Sequence, residues 1–409
     1  MRITKDFLNL ISDFGDDWKI EDIEVNVVDK TAHIHMKFIG EKLFDPETEQ
    51  EVTLYDHSPK RSWRHLDIWD YKTYIVTRIP RVLCVDGKVK KIAVGWTSNS
   101  DRHTYSFEIK VINTLIATKN QTKTAELLNC SFKLVNRVMH KSVERGMSNR
   151  ETHEYSFNHL SIDEKSFKKN HKYVTILSDP IMGCVLNVAE GRNYATTKCM
   201  LEELMSPEQM QNVQTISMDM WKAYIKVAKL LLPEAEVVHD RFHLVKYLND
   251  AIDKIRRREI KDNEVLNNSR YAILKNEENR TQKQQEVFEA VIAANLEVSK
   301  AYHAKESFKS LFDIHNDYKL SLDNLKAWAS KFFMYKITEL NKVILRMLNH
   351  SKGVVNAMIS NWTNAMAERL NGKVQEIKVS GRGYRTFDKF KSAILFFHGK
   401  LNLFPFKWA

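Results

Sequence analysis

Three runs, His159-Leu160-Ser161-Ile162-Asp163, Tyr173-Val174-Thr175-Ile176-Leu177-Ser178 and Gly183-Cys184-Val185-Leu186-Asn187-Val188, decide the fold class. Each is short and apolar, with turn or polar residues on either side, and together they read as a three-strand meander. An amphipathic helix near residues 194–204 and a Ser206-Pro207-Glu208 helix start lead into Val213-Gln214-Thr215-Ile216-Ser217-Met218-Asp219, a fourth strand ending in a carboxylate. After a helix over residues 221–232, Glu236-Val237-Val238-His239-Asp240 reads as a fifth. Strands interleaved with helices in this order predict an α/β fold with a sheet of mixed direction.

Beyond this sheet, residues 244–350 carry helical periodicity and no strand signal. They are heavily charged, including Arg256-Arg257-Arg258, and read as a helical insertion whose charges mostly form solvated faces. A further helix spans residues 362–378. Its apolar stripe is Trp362, Met366, Leu370, Val374 and Ile377, with Asn361, Asn364, Glu368 and Asn371 nearly opposite.

Upstream, residues 20–39 alternate in the strand period, with His33, His35 and Lys37 facing away from Ile34, Met36 and Phe38. The pattern continues through Trp63-Arg64-His65-Leu66-Asp67-Ile68 and residues 74–84, mixing cationic and aromatic side chains in a way that suits phosphate backbones. Near residue 104 the period changes. Phe107, Val111, Ile112, Leu115 and Ile116 form a helical stripe, residues 121–128 a second helix, Asn129-Cys130-Ser131 a turn and residues 132–140 a third helix. That is a helix-turn-helix pattern, in which Lys133, Asn136, Arg137 and His140 would point towards a DNA major groove.

Of the 409 residues 43% are hydrophobic and 28% charged, with only 12 Gly and 7 Pro, which excludes collagen-like and largely disordered chains. No apolar run approaches the ~20 residues that span a bilayer. The start, Met1-Arg2-Ile3-Thr4-Lys5-Asp6, lacks the apolar core of a signal peptide, so a cytoplasmic protein without membrane partners is expected. Lys and Arg number 63 against 52 Asp and Glu, and a net charge of +11 favours a polyanionic partner, with nucleic acid the leading candidate. Cys84, Cys130, Cys184 and Cys199 form no C-x-x-C pair, so neither a disulfide framework nor a Cys-rich zinc site is expected.

Asp163 and Asp219 end, or nearly end, strands of one sheet, where side chains emerge at an edge that can hold a ligand. Either alone is more often a helix cap. With Glu368 they form a carboxylate set of the kind that binds hard divalent cations, and two such ions can promote in-line displacement at phosphorus.

The motifs Ser62-Trp63-Arg64-His65-Leu66-Asp67, Ser161-Ile162-Asp163-Glu164, Ser217-Met218-Asp219-Met220 with Tyr224, Asp240-Arg241-Phe242-His243-Leu244-Val245-Lys246, and Ala367-Glu368-Arg369-Leu370-Asn371 with Ile377-Lys378 resemble, in order, the ISL-three family of bacterial insertion-sequence transposases. The resemblance implies an RNase H-like catalytic domain of α/β class in which Asp163, Asp219 and Glu368 are the DDE triad. It implies two Mg²⁺ ions, with Mn²⁺ as a substitute, and DNA cleavage followed by strand transfer. The partners it implies are double-stranded DNA, as terminal inverted repeats and as target, and a second copy of the chain in a homodimer on DNA.

The domains expected are a β-rich DNA-binding unit over residues 1–100, a helix-turn-helix over 101–150, the catalytic domain over 151–248 and 351–409, and its helical insertion over 249–350. Asp240, His243 and Asn371 are candidates for orienting the ligands or the scissile phosphate. DNA-contact candidates are Arg61, Trp63, Arg64, His65, Lys133, Asn136 and Arg137, joined by Arg382, Tyr384 and Arg385 in a Gly-rich basic loop. Positive charge is expected to gather on the N-terminal unit, near Arg137, at the Arg256 cluster and at Arg382.

Family members carry two Cys-x-x-Cys pairs in an N-terminal zinc-binding segment. Here Phe44-Asp45-Pro46-Glu47-Thr48-Glu49 has no counterpart to the first pair, and Cys84 faces Gly87 in the second, so no structural zinc is expected. Two rival readings are a catalytically silent, transposase-derived DNA-binding regulator, and an RNase H-like nuclease that cuts without joining.

Overall fold

The structure, a computed structural model, describes residues 14–98, 100–151, 156–168, 172–314, 317–360, 365–381 and 384–405, with backbone alone at 151, 168, 172, 365–368 and 380. The chain forms two compact units, residues 1–149 with 401–409, and residues 150–400.

In the first unit β1 (Trp18–Asn26), β2 (Thr31–Phe38), β6 (Arg61–Arg64) and β7 (Lys72–Thr77) make a sheet of order β1-β2-β7-β6. Its β1–β2 hairpin turns on Asn26, whose side-chain oxygen accepts the N–H groups of Val28 and Asp29 at 3.0 and 2.9 Å. The alternation of β2 is kept: Ala32, Ile34 and Met36 are buried, while His33 and His35 are half-buried. Smaller pieces are β3 (Leu43–Phe44) with β4 (Glu51–Val52), and β5 (Leu54–His57), β8 (Pro80–Leu83) and β9 (Val89–Lys91) in one three-stranded sheet. Trp18, Trp63 and Trp96 meet edge to face in the core, with centroids 5.7 and 5.4 Å apart.

Three helices follow, α1 (Tyr105–Thr118), α2 (Gln121–Leu127) and α3 (Phe132–Glu151). Thr104 and Asn120 cap the first two through their side-chain oxygens. Ile116 lies outside the buried stripe of α1, at 43% exposure. The third helix runs well past residue 140, because buried Ser142 and Val143 continue the stripe of Val135, Val138 and Met139.

The second unit is built on β10 (His159–Lys168), β11 (Lys172–Asp179), β12 (Cys184–Glu190), β13 (Thr215–Met218) and β14 (Glu236–His239), in the order β12-β11-β10-β13-β14. The first three strands are antiparallel neighbours, and β13 and β14 run parallel to β10. Val174, Leu177, Val185, Leu186, Val188 and Ile216 are fully buried, as a sheet covered on both faces requires. Asp163 is not at a strand end, because pairing with β11 carries β10 on to Lys168. It lies instead at the level where the parallel neighbour β13 stops: Ile162 pairs with Met218, so Asp163 and Asp219 each come one residue later.

Helices α4 (Tyr194–Glu202), α5 (Pro207–Gln211), α6 (Lys222–Leu231) and α7 (Arg241–Glu259) connect and follow the strands. Between α7 and α14 (Ala365–Ser380) come α8 (Arg270–Leu274), α9 (Gln282–Ala293), α10 (Glu297–Ser310), α11 (Tyr318–Phe333), α12 (Thr338–Asn349) and α13 (Ser351–Ile359), and α15 (Phe387–His398) ends the series. This segment is more than a solvated spacer. Leu248, Ile252, Phe308, Trp328, Leu340 and Ile344 share one buried apolar core, and the Trp328 indole donates to the Ala304 carbonyl at 2.9 Å. Among the described residues no helix is long and apolar enough to cross a membrane.

Candidate active site

Helix α7 starts directly after β14. Asp240 caps it by accepting the Phe242 N–H at 2.8 Å, so this carboxylate is used locally. One turn in, His243 stands between the two strand carboxylates, with Nε2 3.5 Å from Asp163 and Nδ1 3.8 Å from Asp219. Four residues later on the same face, the Tyr247 hydroxyl donates to Asp219 Oδ1 and Oδ2 at 2.8 and 2.9 Å. Asp219 Oδ1 also accepts the Met220 N–H at 2.6 Å. Asp163 Oδ1 accepts the Glu164 N–H at 2.7 Å, and the Asn371 amide of α14 donates to Oδ2.

Burial alone would raise the Asp163 pKa. The His243 hydrogen bond, Lys165 at 3.8 Å and the Glu164 N–H outweigh it and hold the carboxyl below its ordinary range. Burial likewise opposes charge on His243, but Asp163 and Asp219 carry its pKa above the usual histidine value. The structure therefore brings together Asp163, Asp219, His243 and Asn371. The backbone puts Glu368 three residues before Asn371 on α14, on neighbouring positions of the helix surface. Its side chain, like Asn361, Trp362 and Asn364, lies outside the described residues.

The sequence reading missed Tyr247, although its i+4 spacing from His243 was the available signal. It also missed the flank of the site. There Arg192 pairs with Glu164 at 2.8 and 3.0 Å and lies over the rings of Tyr173 and Trp221, 4.1 and 4.6 Å from their centroids.

The DNA-contact candidates divide. Trp63 is 2% exposed in the core. Arg64 is 5% exposed, donates to the carbonyls of His65, Thr73 and Leu128, and pairs with Asp67 at 2.5 Å over the Phe107 ring. The His65 ring bonds the Thr104 hydroxyl at 2.9 Å, and burial and Arg64 push its pKa down to about 4. Their placement makes this motif a brace between strands and helices. Arg61 is half-buried on β6, Lys133 and Arg137 are exposed on α3, and Asn136 donates to Gln121 at 3.1 Å. Tyr384 is half-buried, 5.3 Å from the Phe390 ring, Arg385 is exposed, and Arg382 lies outside the described residues.

The Arg256 cluster is not an open cationic patch. Arg256 and Arg257 pair with Asp253, and Arg258 pairs with Glu297 and Glu339 at 2.5 and 3.1 Å. In the first unit Lys37, Lys60, Arg78, His35 and His57, with the single carboxylate Glu21, line a groove of about 450 Å³.

A transposase family model of ISL3 type matches residues 160–394, which hold both strand aspartates, His243, Tyr247 and Asn371. The chain belongs to the ISL3 (ISL-three) family of insertion-sequence transposases. It is a DNA transposase, an enzyme of DNA strand cleavage and strand transfer. A second model, the zinc finger of transposases IS204, IS1001, IS1096 and IS1165, matches residues 48–87. This transposase is 24% identical to that of insertion sequence element IS1557 from Mycobacterium tuberculosis, over 80% of this chain and 79% of the other. It is also 24% identical to that of IS1001 from Bordetella parapertussis, over 88% and 90%. Among solved structures, the Drosophila P element transposase strand transfer complex has a TM-score of 0.37 and 11% identity, covering 71% of this chain and 91% of that one.

The DDE family of this transposase works with divalent metal, and Asp163 and Asp219 carry the oxygen donors that such an ion takes. These carboxylate oxygens, the donor type of a hard cation, come from either side of the His243 imidazole; among the described residues the three groups do not converge within 4.8 Å. A different group of ligand-type side chains, Asp101, His103 and Glu108, lies in the first unit with its atoms within 4.8 Å. Asp101 is taken by Lys141 at 2.7 Å and Glu108 by Arg145 at 2.6 Å, so it is a buried ion-pair network.

Proposed function

We propose that residues 150–400 form an RNase H-like catalytic domain with a helical insertion, and that Asp163, Asp219 and Glu368 are its metal-binding triad. The observation that carries this reading is the register of β10 against β13, which sets Asp163 beside Asp219 while Asn371, one turn beyond Glu368, reaches Asp163. Two Mg²⁺ ions held by these carboxylates, or Mn²⁺ in their place, would activate the attacking oxygen and stabilise the leaving one. The protein's own contribution is orientation: Asn371 fixes one oxygen of Asp163, Tyr247 fixes both oxygens of Asp219, and His243 keeps the pair apart.

Recognition of the terminal inverted repeats is assigned to the first unit. There α2 and α3 read as a helix-turn-helix with exposed Lys133 and Arg137, and the groove of Lys37, Lys60 and Arg78 is suited to the phosphate backbone. Pairing of two ends calls for a dimer on DNA.

The test is cleavage and joining of labelled terminal-repeat DNA with Mg²⁺. Asp163→Ala, Asp219→Ala and Glu368→Ala are each expected to abolish cleavage and leave end binding intact. Cleavage surviving one change removes that residue from the triad. Cutting without joining in the wild type would turn the reading towards a nuclease.

A further inference from the structure

The zinc-finger family model spans residues 48–87, and a zinc ribbon holds its ion with four Cys or His ligands on two hairpin tips. In this chain the tips are the turn between β3 and β4, carrying Asp45 and Thr48, and the turn between β8 and β9, carrying Cys84 and Gly87. The spacing of both pairs is that of Cys-x-x-Cys, but Gly87 has no side chain and threonine is not among the usual zinc ligands. One thiol and one carboxylate remain, and both are engaged. Among the described residues no three Cys, His, Asp or Glu ligand atoms converge here. The residues present do not fit zinc.

Their contacts show what joins the tips. Asp45 is 2% exposed, and its Oδ1 accepts the Glu47 and Thr48 N–H groups of its own turn at 2.9 and 3.4 Å. Its Oδ2 accepts the Val85 N–H of the opposite turn at 3.4 Å, and burial, with this carboxylate beside it, pushes the Cys84 thiol pKa up. A second link lies alongside: Lys90 reaches Glu47 of one tip at 2.8 Å and Asp86 of the other at 3.2 Å. Cys84 itself packs in the core shared by Trp18, Trp63 and Val82. A buried carboxylate is tolerated only when hydrogen-bonded, and this one takes its donors from both hairpins.

We propose that Asp45, with Cys84 and Lys90, forms a metal-free clamp that replaces the zinc of the ribbon, so that the first unit folds and binds transposon ends without metal. Zinc draws two hairpin tips together by sharing their ligands, and Asp45 does so by sharing its two oxygens. The clamp is independent of the triad, and its test does not read catalysis.

The experiment uses the full-length protein, measuring zinc content and amide exchange at Glu47, Thr48 and Val85 with and without a zinc chelator. The expected result is no stoichiometric zinc, and exchange protection and end binding that ignore the chelator. Stoichiometric zinc with chelator-labile protection overturns the proposal. Asp45→Ala is expected to speed exchange at Val85 by at least about tenfold, and Lys90→Met by less. Should Asp45→Ala fail to fold, Asp45→Asn separates the two oxygens. Its amide keeps one acceptor for Glu47 but offers an NH₂ towards Val85, so protection should fall at Val85 and persist at Glu47. Wild-type protection at Val85 in these variants sinks the clamp.

Discussion

Tyr247 donates its hydroxyl to both oxygens of Asp219, at 2.8 and 2.9 Å, from the helix that also carries His243. The Arg346 guanidinium covers the ring 4.7 Å from its centroid, so this phenol is held from both sides. If Asp219 belongs to the proposed metal-binding triad, a partner of that kind fixes its carboxylate without touching the substrate. Tyr247→Phe is expected to lower cleavage by about 10- to 100-fold and to raise the Mg²⁺ concentration needed for half-maximal rate, with end binding unchanged. A metal titration checks this. A variant with an unaltered metal requirement would assign the tyrosine to packing alone.

Arg64 looks like a DNA contact in the sequence and behaves as a structural hub in the fold. Its guanidinium bonds three carbonyls and Asp67, and the Phe107 ring lies beneath it. Hydrogen bonds from a charged group of this kind put the cost of Arg64→Ala at roughly 3 kcal/mol of stability. Thermal unfolding of the variant is expected to show a lower transition for the N-terminal unit. The salt dependence of end binding by the fraction that stays folded should match wild type.

The five-stranded sheet was legible in the sequence because its strands are apolar runs separated by turn residues. Asp163 and Asp219 were legible because each interrupts such a run with a carboxylate. The level at which they meet was not, since it depends on pairing register, and the pairing of β10 with β11 extends the strand past Asp163. Tyr247 was hidden because a helical tyrosine at i+4 from a histidine is ordinarily core. The Arg256 triplet misled because Asp253, one turn earlier on the same helix, takes Arg256 and Arg257, while Glu297 and Glu339 of distant helices take Arg258. For the Trp63-Arg64-His65 stretch, composition suggested a surface where packing made a core, since cationic and aromatic residues suit both.

The ion-pair network of the first unit gives a pH dependence with a definite sign. Burial would raise the pKa values of Asp101 and Glu108. Lys141 with His103, and His103 with Arg145, more than offset it, so both carboxyls lie below their ordinary values of 3.8 and 4.5. A folded-state pKa below the unfolded one contributes stability that is complete above the ordinary value and is lost as pH falls through the depressed one. Thermal unfolding followed downward from about pH 5 should therefore show the first unit weakening only in the acid range. Arg145→Met leaves Glu108 buried beside His103 alone, and is expected to cost about 3 kcal/mol at neutral pH. The same variant should show a smaller further loss on acidification, because protonating Glu108 then relieves an uncompensated charge.

The cationic groove of the first unit sets the last prediction. Lys37, Lys60 and Arg78 line it with His35 and His57 against the one carboxylate of Glu21, whereas the Arg256 triplet is paired with Asp253 of its own helix and with Glu297 and Glu339 of two others. Each phosphate neutralised by a cation releases counterions, so the slope of log binding constant against log salt counts the contacts. Lys60→Glu and Arg78→Glu are each expected to reduce the magnitude of that slope by about 0.9 and to weaken specific and non-specific duplexes alike, since phosphate contacts carry no sequence information. Arg257→Glu serves as the control: its partner Asp253 is already shared with Arg256, and the slope should not move. Lys133→Ala and Arg137→Ala on α3 should behave differently again, reducing the preference for terminal-repeat DNA over random duplex, as expected of residues that reach base edges. Equal slopes for wild type and the groove variants would remove the groove from the DNA path and leave α3 as the cationic surface of that unit facing the ends.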